Sequence, residues 1–337
     1  MIRLLVALLV LVAAPSWARV VVDSAGRSVE VPERITRVLA AGPPASVLLY
    51  VLAPETMLGW SRAPRQPELT YLQPAVRGLP ETGRLTGRGD TLNLERLIAE
   101  KPDIVVDFGT IADTYRSLAD RVQAQSGIPY LLIDGSFAAT PAALRLLGDV
   151  LGVMPRAEAL ARAAERIFAD VDRTVAAMPA ERRPRVYLAR SMLGLETGSR
   201  GSINTEIIER VGAINVVEGL REKGGLVAVS PEQVLAWAPG VIITLDPAFA
   251  DHARIDPVWR PVPAVAEGRI YLAPGLPFGF IDAPPSVNRL IGLTWLLHKL
   301  YPDKAAGNLR AEVRDFYRLF YQVDVTDPDL DRLLAGG

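Results

Sequence analysis

At 337 residues, half of them hydrophobic, the chain is long enough for two lobes of ordinary size. Its 37 basic and 38 acidic residues nearly cancel, so there is no electrostatic case for nucleic acid as a partner. There is no cysteine, which excludes a disulfide framework, a thiol nucleophile, a thiolate metal site and lipid attachment at an N-terminal Cys.

In chain order, the first eighteen residues read as a signal peptide. Arg3 gives a positive start, residues 4–14 form an unbroken apolar run, and Pro15-Ser16-Trp17-Ala18 places small residues at the −3 and −1 positions of a cleavage site after Ala18. The run falls well short of the roughly twenty residues that a membrane-spanning helix needs, an uncleaved anchor being the competing reading. From Arg19 onward the mature protein is expected to be soluble and periplasmic.

Val20-Val21-Val22-Asp23 and Arg27-Ser28-Val29-Glu30-Val31-Pro32 predict a hairpin turning at Ala25-Gly26. Strand and helix signals then alternate: a strand at 37–40, a helix over 46–52, a strand end at 57–60, a short helix over 94–100, a buried strand over 103–108, a helix over 114–125 and a strand over 130–133. Apolar strand runs between amphipathic helices predict a parallel sheet covered on both faces. A long helix follows. Pro155 suits its start, and Ala157, Leu160, Ala161, Ala164, Ile167, Phe168, Val171, Val175 and Met178 recur at three- and four-residue spacing. About 23 residues at 1.5 Å each span about 35 Å, the length of a lobe. Pro179 and Pro184 close it, and a strand over 185–189 restarts the pattern.

The second half repeats the first. Leu94-Glu95-Arg96-Leu97-Ile98-Ala99-Glu100-Lys101-Pro102 aligns with Pro231-Glu232-Gln233-Val234-Leu235-Ala236-Trp237-Ala238-Pro239, the Glu and the Pro both offset by 137 positions (95 to 232, 102 to 239). Each segment reads as a short helix ended by Pro and followed by a buried strand. Two similar α/β lobes joined by a long helix leave a cleft between them, and such clefts are favoured ligand sites. The expected organisation is a signal peptide over 1–18, an N-terminal α/β lobe over 19–154, an inter-lobe helix over 155–179, and a C-terminal α/β lobe with terminal helices over 180–337.

Several segments carry a resemblance when taken in order: Val22-Asp23-Ser24-Ala25-Gly26-Arg27, Val31-Pro32-Glu33-Arg34-Ile35, the Leu94-Glu95 and Ser230-Pro231-Glu232 units, Asp256-Pro257-Val258-Trp259, Gly268-Arg269-Ile270-Tyr271 and Leu300-Tyr301-Pro302. With them the chain resembles the periplasmic binding proteins of ABC importers for iron-siderophore, haem and cobalamin. The resemblance implies two lobes with mostly parallel sheets, joined by one rigid helix that limits closure, and a monomer that serves a permease dimer. It also implies one surface glutamate per lobe docking on permease arginines, carried over by motif to Glu95 and Glu232. Two carboxylates at pseudo-equivalent positions suit a two-fold partner. Taken as residues alone, they are equally well ordinary helix-start carboxylates at the positive end of a dipole.

The ligand site is expected at strand ends facing the cleft. In the first lobe these positions hold Pro43, Trp60, Arg62, Arg88 and Thr110; in the second, Arg190, Glu196, Thr197, Phe278, Phe280 and Asp282. The glycine-rich stretch 194–202, with Arg200 and a helix-capping Ser202, can turn amides toward an anion or be a plain turn. The stiff loop 276–285 offers aromatic faces that suit a flat or bulky ligand. Only two histidines exist, His252 in an expected loop and His298 on an expected helix, too few for a cluster that captures a bare transition metal. The ligand classes left open are a metal chelate (ferric siderophore, haem or a cobalamin-like molecule) and a molybdate or tungstate oxyanion; no cofactor is expected. An exported enzyme is poorly supported. Gly-x-Ser-x-Gly and P-loop signatures are absent, and nothing links the carboxylates Asp107, Glu196, Asp246 and Asp282 into an acid–base pair.

Overall fold

The computed structural model describes residues 18–87, 89, 91–218 and 225–335. The expected signal peptide, apart from Ala18, and Arg88 lie outside the described residues.

The chain begins with the expected hairpin. Strands β1 (Ala18–Val22) and β2 (Ser28–Pro32) pair antiparallel, and the turn is set by Asp23, whose carboxylate accepts from the N–H groups of Ala25 and Arg27. Gly26 takes the left-handed φ of 75° that the turn requires. Three strands then form the first sheet in the order β3 (Val38–Ala40), β4 (Ile104–Gly109) and β5 (Tyr130–Asp134), all parallel. Their apolar runs are buried on both faces because helices cover both sides. The second sheet is also parallel, in the order β11 (Ile270–Leu272), β10 (Val241–Thr244), β6 (Arg185–Ala189), β8 (Ile214–Asn215). A separate antiparallel pair, β7 (Glu196–Gly198) with β9 (Leu226–Ala228), caps this lobe.

The connecting helix runs Met154–Ala176. Its apolar stripe, including Ala157, Leu160, Ala161, Ala164 and Val171, is buried against the helices Thr140–Val150 and Arg289–Leu300. The stripe does more than join two cores. One continuous apolar cluster contains Val38 and Leu131 of the first sheet, Leu160 and Val171 of the helix, and Val186 and Ile243 of the second sheet. Two smaller clusters lie one in each lobe.

The terminal segment also packs on the first lobe. The helix Leu309–Phe316 runs into a wide turn, Tyr317–Tyr321, that packs on the first-lobe helix Pro43–Leu52. The Tyr50 hydroxyl donates to the Tyr321 carbonyl at 2.7 Å, and Arg156 donates to the carbonyls of both Val51 and Phe320. The reason is the aromatic run itself. Tyr317 meets Tyr71 edge-on at 6.0 Å and Tyr321 stacks with Tyr50 at 6.1 Å, so crossing back to the first lobe buries these rings further. Among the described residues no helix is long and apolar enough to cross a membrane.

Candidate functional site

A cleft of about 870 Å³ opens between the lobes, walled by residues of both. Drug-sized ligands occupy sites of roughly 300–1,000 Å³, and this cleft falls within that range.

Its back wall is aromatic. Trp60 lies 5.6 Å from Tyr50 and 6.1 Å from Phe278, and Phe278 meets Tyr321 edge-on at 5.6 Å. Trp60 is held by an indole N–H to the Val76 carbonyl and is only 2% exposed, so the cleft meets one edge of a fixed ring. The first-lobe rim is basic. Arg62, Arg65 and Arg84 line it, with Glu68 accepting from Arg62 at 2.8 Å.

The first-lobe floor carries a buried acid. Asp107, near the carboxyl end of β4, accepts from Thr86 Oγ1 at 3.2 Å and from the Tyr130 hydroxyl at 3.0 Å. Burial outweighs these bonds and lifts its carboxyl to about 6. The Tyr130 hydroxyl is pushed far up by burial and by the Asp107 charge.

On the second-lobe side, Arg190 pairs with Asp282 and with Glu196, the latter at 3.2 Å. The Asp282 side chain is fully buried. It also accepts from Asn204 Nδ2 with both oxygens and from the Ala283 N–H at 2.7 Å. A buried carboxylate with this many donors is held in place, and it holds Arg190 toward the cleft. The loop around it is tight. Gly292 on the helix Arg289–Leu300 lies against the Phe280 carbonyl, where a Cβ would collide.

Deeper still, the lobes are latched by Arg289, which is 1% exposed. From the second lobe it donates to the Gly135 carbonyl of the first lobe at 2.7 Å, to the Ile203 carbonyl at 2.7 Å and to Glu206 at 3.2 Å. Its guanidinium lies 4.3 Å from the centre of the Phe137 ring, and Glu206 in turn accepts from the Phe137 N–H at 3.0 Å. Ser286 adds a hydroxyl bond to the Pro44 carbonyl at 2.7 Å.

Of the residues expected in the cleft, Pro43, Trp60, Arg62, Thr110, Arg190, Phe278 and Asp282 line it. Three do not. Thr197 is fully buried because β7 pairs with β9 and turns it inward. Glu196, its neighbour on the strand, is not among the cleft-lining residues and pairs with Arg190, which is. Phe280 is fully buried in the main apolar cluster. The expected anion loop is likewise not in the cleft: Arg200 pairs with Glu218 at 2.6 Å, and Ser202 hydrogen-bonds Asn204 instead of capping a helix. His252 is not in a loop. Asp246 caps the helix Pro247–Ile255 by accepting from the Ala248 N–H, and His252 sits within that helix, 2.6 Å from Asp256. His298 lies on the helix Arg289–Leu300, 3.5 Å from Glu312. Among the described residues no group of three or more His, Cys, Asp or Glu side chains is placed to hold a metal.

Sequence reasoning missed Arg65, Arg84, Asn204 and Arg289, and took Asp107 for one loose carboxylate among several. Asp107 did carry a signal: a charged residue inside an apolar parallel strand, near its carboxyl end, is where open α/β sheets meet ligands. Glu95 and Glu232 are both exposed, at the second position of the helices Leu94–Glu100 and Pro231–Trp237 and away from the cleft lining.

Comparison with known proteins places this geometry. A family model described as periplasmic binding protein matches residues 48–276. An ABC transporter solute binding protein from Sulfurospirillum deleyianum is similar at 29% identity and TM-score 0.85, over 94% of this chain and 98% of that one. The molybdate-bound periplasmic protein MolA of Haemophilus influenzae superposes with TM-score 0.76 at 22% identity, over 91% and 99% of the two chains. The Helicobacter pylori protein CeuE, in a nickel–histidine complex, does so with TM-score 0.71 at 16% identity, over 94% and 99%. These last two likenesses show the fold alone. No curated protein sequence matches the chain.

Proposed function

The chain belongs to the periplasmic binding protein family, and on that premise we propose that it captures a metal chelate in the inter-lobe cleft and hands it to the permease dimer of an ABC importer. The observation that carries the cargo class is the cleft itself: about 870 Å³, aromatic at the back and basic at the rim. A chelate of siderophore or haem size fills such a space and lays its apolar ligand shell on the Trp60 and Phe278 edges. Arg62, Arg65 and Arg84 meet anionic oxygens at its periphery.

In this reading the signal peptide over 1–18 delivers the protein to the periplasm, Glu95 and Glu232 dock on permease cations, and the protein works as a monomer without a cofactor of its own. A smaller anion is the second reading, favoured by the same basic rim. The MolA comparison protein binds molybdate on this fold.

Calorimetric titration with a ferric hydroxamate, a ferric catecholate, haem, cobalamin and molybdate separates the classes. Chelate binding is expected to quench Trp60 fluorescence, and Trp60→Phe to remove most of that signal. Tight binding of molybdate with no chelate bound would replace the first reading with the second.

A further inference from the structure

The two short helices repeat more than a glutamate. Each starts on a side-chain cap: Asn93 accepts from the Arg96 N–H, and Ser230 from the Gln233 N–H. Each ends on a non-glycine residue in the left-handed region, Lys101 at φ 48° and Ala238 at φ 45°. Each buries one residue of its middle turn, Leu97 or Val234. From 94 to 103 and from 231 to 240 the order of buried, half-buried and exposed positions is the same at every residue.

Within this matched frame lies a matched apolar residue. Ile98 and Leu235 stand three positions after Glu95 and Glu232, hence on the same side of their helices, and are 45% and 43% exposed. A single exposed aliphatic means nothing, since folded surfaces carry many. Ile255 at 76% and Val20 at 63% are more exposed. Yet of the large hydrophobic side chains exposed among the described residues, Ile98 and Leu235 are the only two that occupy equivalent positions of the repeat. A surface that appears twice, once per lobe, fits a partner that itself has two equivalent sites.

We infer that Ile98 and Leu235 are the apolar half of the delivery surface, each packing into a hydrophobic recess beside the cation that receives Glu95 or Glu232 on a two-fold permease dimer. The inference rests on the docking reading above and adds what that reading lacks. An ion pair exposed to water holds little, whereas an aliphatic side chain packed beside it excludes water and lowers the local dielectric. The acidic residue in each patch specifies a cationic partner surface and disfavours an anionic lipid headgroup. It also disfavours a second copy of this chain packed patch to patch, which would set glutamate against glutamate.

The test measures binding of the mature chain to its cognate importer in lipid nanodiscs, for wild type, Ile98→Ala, Leu235→Ala, the double variant and Glu95→Ala/Glu232→Ala. Each single aliphatic variant is expected to weaken docking about tenfold, mostly through faster dissociation and with the salt dependence retained. Ile98→Leu and Leu235→Ile are expected to restore it. The glutamate variant should weaken docking and flatten its salt dependence. Aliphatic variants that dock like wild type, beside glutamate variants that do not, would overturn the inference and leave the docking reading intact. If all variants dock like wild type, the docking reading falls and the inference with it. Loss in only one lobe would contradict the two-fold match. Self-association that the aliphatic variants abolish, with docking unaltered, would assign the patch to a second copy instead.

Discussion

The two lobes are alike on the outside and unlike on the inside. At the helices Leu94–Glu100 and Pro231–Trp237 they share caps, left-handed ends and the burial of every residue from 94 to 103 and from 231 to 240. Where the same two units turn toward the cleft, they diverge. Asp107 in β4 corresponds by the same offset to Thr244 in β10, a fully buried hydroxyl that donates to a nearby backbone carbonyl. The first lobe adds a rim of guanidinium groups and the second Arg190, anchored by Asp282 of a proline-rich loop and by Glu196. One repeated unit thus supplies a scaffold whose outer face is the same in both lobes, while its inner loops differ.

The largest effect is expected where the inner faces are tied together. Arg289→Ala removes a buried guanidinium, leaves the Gly135 and Ile203 carbonyls without their donor, and leaves Glu206 with the Phe137 N–H alone. Chemical denaturation should show a loss of about 3–5 kcal/mol. Arg289→Lys should recover only part of it, because an ammonium cannot reproduce the fork. A loss below about 1 kcal/mol would mean that the shared apolar core and the other cross-lobe hydrogen bonds hold the lobes without Arg289.

A second test addresses the asymmetry of Asp107 and Thr244. The folded-state pKa of Asp107 is raised to about 6. Between about pH 4 and 6 the native chain therefore holds a proton that the unfolded chain has released. This contribution is fully present below pH 4 and is lost as pH rises through 6. Asp107→Asn should remove it, so the stability difference between variant and wild type should change by on the order of 1–3 kcal/mol across that window. A parallel pair of curves would show that Asp107 is not desolvated as the structure has it.

The smallest effect tests the likeness itself. Asn93→Ala and Ser230→Ala each remove one cap and should each cost about 1 kcal/mol, within a few tenths of one another. Unequal costs would show that the two helices are alike in outline and different in what holds them.

Most of the outside was legible in the sequence and much of the inside was not. The repeat showed because caps, Pro102 and Pro239, and the apolar positions of a short helix are local signals. The helix Met154–Ala176 showed because its stripe has a single period. Cleft residues are chosen by how distant segments meet, which no period records. Thr197 and Phe280 lie next to residues that do bear on the cleft, Glu196 through Arg190 and Gly279 directly, yet strand pairing and the tight loop turn both inward. Arg289 gave no signal, since a buried arginine at a helix start reads as a solvated one until Gly135 and Glu206 arrive from elsewhere. The crossing of the terminal segment to the first lobe was hidden for the same reason. Its aromatics found partners at Tyr50 and Tyr71, far away in sequence.

The division of labour between the two faces is tested most directly by one variant and two readouts. Glu95→Arg/Glu232→Arg is measured for chelate affinity in solution and for chelate uptake into proteoliposomes that carry the importer. Unaltered affinity with uptake abolished is the expected result. Uptake at the wild-type level, or affinity lost together with uptake, would contradict it.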